Sequence, residues 1–156
     1  MIRIELTDTE LRMCTGIASD RHYAAIGRGH VSQGNASKVE DNVLGIKGEY
    51  ALLKYLGLPV SNWHGLWFNP DKPDVDRFEV RTRTPPGKMG IKTKKFEHQK
   101  PSQIFVLAWT TPKTSHVDLV GWTTLDQVAL FGVPHESWPS IFMPTEKMLP
   151  MEVFPC

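Results

Sequence analysis

Lys72-Pro73-Asp74-Val75-Asp76-Arg77-Phe78-Glu79-Val80-Arg81-Thr82-Arg83 gathers the side chains best suited to chemistry into one short run. One or two carboxylates stand just before a strand-like segment that contains Glu-x-Arg. Side chains alternate faces along a strand, so Glu79, Arg81 and Arg83 share one face and Phe78, Val80 and Thr82 the other. An acid and two guanidiniums over an apolar underside suit a divalent metal beside a phosphate. If Asp74 and Glu79 converge, their oxygens and a strand carbonyl make a hard-oxygen site for Mg²⁺ or Mn²⁺ rather than zinc. Such an ion lowers the pKa of a bound water and offsets charge on a phosphodiester under attack. Arg81 could clamp the phosphate bidentately. The structural alternatives are a Glu79–Arg81 salt bridge and a turn role for Asp74 beside Pro73. Asp76 competes as a ligand, but strand alternation puts it opposite Glu79, which favours Asp74. The five-residue step from Asp74 to Glu79 leaves little room for a hairpin.

The elements that must position these groups follow from periodicity. Thr7-Asp8-Thr9-Glu10 reads as a capping box opening a helix over about Asp8 to Ile26. Gly27, Gly29, Gly34 and Asn35 mark a loop. A second helix runs from about Asn42 to Leu56, stopped by Gly57 and Pro59. On it, Glu49 borders the apolar stripe of Ile46, Leu52 and Leu53, from where it could reach the acidic cluster and orient a water, or else serve as an ordinary ion-pair partner of Lys54 or Arg12. Leu66-Trp67-Phe68 reads as a short strand, Phe78 to Thr82 as a better one, and Met89 to Thr93 as a returning hairpin arm after Pro85-Pro86-Gly87. The continuous apolar run Gln103 to Trp109 suits a central, doubly covered strand. Val117 to Trp122 follows, then a short helix capped by Thr123 or Thr124 and ending near Leu130. A tail with five prolines from Pro134 to Pro155 should be mostly irregular, with one edge strand at most. The order predicts a single α/β (mixed α+β) domain over 1–156. Residues 1–40 form an N-terminal helix and loop, 42–130 the core and 131–156 the proline-rich tail, with a mixed sheet carrying helices.

Charge is uneven. The whole chain carries 18 Lys/Arg against 17 Asp/Glu, yet residues 80–100 hold Arg81, Arg83, Lys88, Lys92, Lys94, Lys95 and Lys100 against only Glu97. A basic island in a neutral chain is what a phosphate-binding surface looks like; a solvated lysine loop is the plainer reading. Arg83, Lys88, Lys92, Lys94, Lys95 and Lys100 are therefore the candidates for tracking a nucleic-acid backbone. Cys14 and Cys156 suggest neither a disulfide framework nor a zinc knuckle, and the expected setting is reducing. No apolar run approaches membrane-spanning length and no signal peptide is evident, so the expectation is a cytoplasmic protein with no membrane partner. The six histidines lack ligand spacing, and no Ser-His-Asp or Cys-His pair is discernible. The glycines at 27, 29 and 34 do not follow a strand as a nucleotide-binding loop requires. Trp63 and Trp67 precede the acidic run and are candidates for base stacking, whereas Trp109 and Trp122 read as core. Arg21 and Arg28 sit where the first helix ends, a place that favours cations anyway.

GIKGEYALLKYLGLP, KPDVDRFEVRTRT, QIFVLAWT and VDLVGWTTLDQV together resemble the PD-(D/E)XK nuclease superfamily, most of all its small bacteriophage-type members. The resemblance spans roughly Gly45 to Val128. It implies a restriction-endonuclease-like core, a helix glutamate at Glu49, the proline–aspartate element at Pro73-Asp74 and the E-x-K element at Glu79-Val80-Arg81. It also implies a Mg²⁺- or Mn²⁺-dependent deoxyribonuclease, in the host-cell cytoplasm if phage-encoded. Related folds often pair two copies to cut two strands, so a homodimer is among the expectations. One position departs from the pattern: the family lysine is Arg81. Arginine stays charged and cannot act as a base. Either a metal-bound hydroxide suffices, or Lys92 or Lys94 supplies a displaced ammonium. Otherwise the domain binds nucleic acid or protein without cutting.

Overall fold

The computed structural model describes residues 1–27, 36–67 and 71–156. The chain opens with a strand that its alternating charges conceal. Ile-Arg-Ile-Glu forms β1 (Ile2–Glu5), whose isoleucines turn to the core while Arg3 and Glu5 stay exposed. Thr7 and Glu10 then close the expected capping box, with Thr7 N–H on Glu10 Oε2 at 2.7 Å and Glu10 N–H on Thr7 Oγ1 at 3.2 Å. They start α1 (Asp8–Gly27). The second helix, α2 (Ala36–Leu56), begins six residues before the expected Asn42. Gly57, at φ 63°, ends it as the Gly–Pro signal predicts. Glu10 also accepts from Lys54 and Tyr50, fastening the start of α1 to the end of α2.

Leu66-Trp67 is not a strand. The residues form a 3₁₀ turn (His64–Trp67), following another at Val60–Asn62. The backbone hydrogen bonds here go to the acidic run instead of a sheet: Gly65 N–H donates to Asp74 O and Asp76 N–H to Asn62 O. Phe68, and the glycine loop's residues 28–35 with Arg28, lie outside the described residues.

Four strands make the main sheet: β1, then β5 (His116–Thr124), β4 (Ile104–Trp109) and β2 (Phe78–Arg83) at the edge. β2 runs parallel to β4; the other pairs are antiparallel, so the sheet is mixed. The apolar run of β4 lies inside the sheet with both faces covered, as its composition predicts. Its Val106 and Ala108 join Cys14 and Ile46 in a core under α1 and α2.

 Ala18, Leu52, Leu53, Phe78 and Val80 complete that layer.

The opposite face holds a second, smaller sheet that the sequence reading does not foresee. β3 (Met89–Lys92) does not return on β2 as a hairpin arm; it pairs with β7 (Ser140–Met143), which pairs with β6 (Val133–Pro134). The proline-rich tail thus supplies two of three strands. With α4 (Leu125–Phe131), capped by Thr124, this sheet covers Phe105 and Leu107 through Met89, Ile91, Val128 and Met143. A single turn, α3 (Lys95–His98), leads from β3 to β4. The result is three layers: two helices, the mixed sheet, and a small sheet with α4. Among the described residues no helix is long and apolar enough to cross a membrane.

Candidate active site

The free edge of β2 is where the acidic run, α2 and α3 meet. Val75 and Phe78 exchange backbone hydrogen bonds of 3.1 and 2.8 Å, closing a turn whose two central residues are Asp76 and Arg77. Asp76 takes φ 51°, a conformation aspartate tolerates better than most residues. A hairpin therefore does fit between Asp74 and Glu79, against the expectation from spacing, because its loop is only two residues long. The turn also separates the competing ligands. Asp76 accepts from Asn62 Nδ2 at 3.0 Å, whereas Asp74 stays at the edge and accepts from Val80 N–H at 2.8 Å.

Glu49 arrives from the helix layer. It is only 6% exposed, so it sits within the core rather than beside it. Arg21 grips both of its oxygens at 3.3 and 3.0 Å, and Trp63 Nε1 donates to Oε2 at 2.7 Å. Trp63 is itself buried and packs against Tyr50, which removes it as a base-stacking residue; the Trp67 side chain lies outside the described atoms. Gly65 makes this arrangement possible, since a Cβ there would collide with Glu49 Oε2 and Arg21 Nη2.

Gly48 sets the distance between α2 and β2: a Cβ would overlap Thr82 Oγ1. We expect Gly48→Ala to push the helix off the strand and cost about 2 kcal/mol, as overpacked cores do. Urea denaturation measures it; an unchanged midpoint would contradict this packing.

The second acid faces the other way. β2 and β4 are in register with Glu79 beside Phe105 and Arg81 beside Leu107, so both side chains lie on the small-sheet side. Glu79, also 6% exposed, binds Arg81 Nη2 at 3.0 Å through Oε2 and Gln99 Nε2 at 3.1 Å through Oε1. Lys95 Nζ lies 3.8 Å from Oε1. Arg81 Nη1 lies 3.8 Å from Asp74 Oδ2, and its guanidinium sits over the Phe105 ring. The ammonium nearest the acids is therefore that of Lys95, on α3, rather than Lys92 or Lys94.

Burial dominates the electrostatics. It pushes Glu49 up to about 7, helped by the negative charge of Asp74 and opposed by Arg21 and Trp63. Burial also raises Asp74, helped by Glu79 and opposed by the Val80 N–H, Arg81 and Arg21. Asp74 is thus repelled by an acid on either side of the sheet edge, a repulsion that a divalent cation would relieve.

Does the donor set fit such a cation? Among the described residues no group of three His, Cys, Asp or Glu side chains could hold a metal. Magnesium needs less than that, since it keeps waters and commonly takes one or two carboxylates plus substrate phosphate. Asp74 Oδ1 has no hydrogen-bond partner among the described residues, and Asp74 and Glu79 line the same cleft. Hard oxygens of the right type and one open position fit Mg²⁺ or Mn²⁺, with Arg81 as the group that would have to yield.

That cleft has a volume of about 630 Å³. Around its two carboxylates it collects Arg21, Lys72, Arg81, Arg83, Lys92, Lys94 and Lys95, together with Gly90 and Phe142 from the small sheet. No family model, curated protein or solved structure matches this chain.

Of the residues singled out by sequence, Asp74, Glu79 and Arg81 come together at one strand edge, and Arg83, Lys92, Lys94 and Lys95 join them in the cleft walls, whereas Glu49 stays buried on the helix side, tied to Arg21 and Trp63 and sensing the charge of Asp74. Lys88 lines a separate cavity, and Lys100 is exposed and lines neither. Sequence reasoning missed the roles of Arg21, Gln99 and Lys72. Arg21 carried a faint signal: a cation expected near the end of a helix has its explanation ready, which hides a partner 28 residues away, and in the structure Arg21 lies short of the last turn of α1.

Proposed function

We propose that this domain is a divalent-metal-dependent nuclease acting on DNA, built on a restriction-endonuclease-like core of the PD-(D/E)XK type. The observation that carries the reading is the pairing of two carboxylates, Asp74 and Glu79, with seven cations in one cleft at the edge of a strand. A helix glutamate, a Pro-Asp element and a Glu-x-Arg strand arranged around a sheet edge is the order the resemblance leads one to expect. Mg²⁺ or Mn²⁺ held by Asp74 and Glu79 would supply a more acidic water and offset charge on the phosphate.

The chain's own residues do the rest. Arg81 lies between the two acids and can swing its planar guanidinium from Glu79 to a phosphate oxygen. Lys95 stands on the far side of Glu79, within reach of a water held by that carboxylate, and takes the place that the motif's lysine leaves vacant. Gln99 and Arg21 fix the orientation of Glu79 and Glu49. Lys72, Arg83, Lys92 and Lys94 bind phosphates without reading sequence, since contacts of that kind position a strand and do not specify its bases.

One observation favours a second reading. Both oxygens of Glu79 are already occupied, by Arg81 on one side and Gln99 on the other. A closed network of this kind also suits a module that binds nucleic acid without cutting it.

Labelled DNA incubated with the protein separates the two. The nuclease reading predicts shortened products in Mg²⁺ or Mn²⁺ and none in EDTA. Uncut DNA in every metal, with affinity that still falls as salt rises, would instead support the binding module. If three or four phosphates are neutralised, log K should fall with log salt at a slope of about −2 to −3 for a single strand.

A further inference from the structure

We propose that the cavity beyond Phe142 is a nucleobase subsite, and that the cleft accepts a single strand whose phosphate lies among the cations while a neighbouring base stacks across Phe142. This rests on the phosphate-binding reading of the cleft given above. Phe142 is common to both cavities: it lines the cleft that holds the acids and also a space of about 650 Å³. The ring lies over Gly90, its cross-strand partner, where an added Cβ would come within 3.0 Å of it. Glycine at 90 therefore lets an aromatic face reach from the small sheet into the cleft.

The second cavity is built for a flat ring. His135 lies 5.3 Å from Phe142, centroid to centroid, at 47°. Its Nδ1 accepts from the N–H groups of Ser137 and Trp138, both at 3.1 Å, which fixes the ring and leaves Nε2–H as the donor of the neutral form. Pro86, Pro134 and Pro144 line the rest with flat apolar surface, and Lys88 and Glu136 bring one charge of each sign. Stacking faces together with a few edge donors and acceptors match a nucleobase. Continuity with the cationic cleft says which one: a base on the strand whose phosphates occupy that cleft. A base in an intact duplex is paired and stacked, and entering a side cavity would require unpairing it. The site therefore selects single strands.

Fluorescence anisotropy in EDTA, where no strand is cut, tests this with labelled oligothymidylate, an abasic oligonucleotide of equal length, and a duplex. Stacking of one base is worth about 5- to 150-fold in affinity. Wild-type protein should prefer oligothymidylate over the abasic strand by at least about 5-fold and over the duplex as well. Phe142→Leu keeps apolar volume over Gly90 and should abolish the preference; His135→Ala should weaken it. Equal binding of thymidylate and abasic strands by the wild-type protein, or tighter binding of the duplex, would overturn the subsite while leaving the phosphate cleft intact. Binding of none of the three at low salt would overturn both, and so tells the two failures apart.

Discussion

Lys95→Ala should lower DNA turnover about 100-fold or more while changing DNA affinity only a few-fold, and Lys92→Ala and Lys94→Ala should do the reverse. All three lysines line one cleft, but among the described residues Lys95 alone of them is within 4 Å of an acid, 3.8 Å from Glu79 Oε1. Arg81 cannot stand in for it in moving a proton, because its guanidinium is permanently charged. The comparison requires kcat and KM for each variant on one oligonucleotide. If the three variants lose turnover equally, or lose only affinity, then Lys95 is one more phosphate contact and the displaced-ammonium account fails. Lys95→Arg sharpens the test: it keeps the charge and should rescue affinity more than turnover.

The stability of the metal-free protein should fall as pH rises from about 4.5 to 7, by up to about 3 kcal/mol from one carboxyl. Glu49 rises from 4.5 to about 7 because it is buried and faces Asp74. In this window the folded protein retains a proton that the unfolded chain has released, so raising the pH favours unfolding. The contribution is complete below pH 4.5 and gone above about 7. The raised Asp74 acts in the same direction. Denaturation midpoints in a pH series measure the slope, and Glu49→Gln should flatten it. Parallel curves for wild type and Glu49→Gln would mean that Arg21 keeps Glu49 ionised throughout.

Elements with strong local signals were legible in the sequence. α1 begins at its capping box, α2 ends at Gly57, and β4 has the unbroken apolar run of an inner strand. β1 escaped notice because four residues with alternating charge carry little periodicity. β6 and β7 escaped because prolines at 134, 139 and 144 punctuate them, and their pairing with β3 spans some fifty residues. For the site, strand alternation sorted Glu79 and Arg81 from Phe78 and Val80, and the acids came out at one edge. What alternation could not give was the partner of each acid. Trp63 reads as an exposed aromatic until its indole N–H is seen to need Glu49. Lys95 cannot be told from Lys92 and Lys94 until a single helical turn aims it at Glu79. Phe142, forty positions beyond the basic run, carries no sequence mark of its place in the cleft; only its pairing with Gly90 brings it there.

The most direct measurement is hydrolysis of a labelled single-stranded oligonucleotide in Mn²⁺ by wild type and by Glu79→Ala, with folding of both verified by circular dichroism. Metal-dependent shortening is expected from the wild type and none from the variant, which should still bind the strand. Cleavage at the same rate by both proteins, or by neither, would contradict an active site built on Asp74 and Glu79.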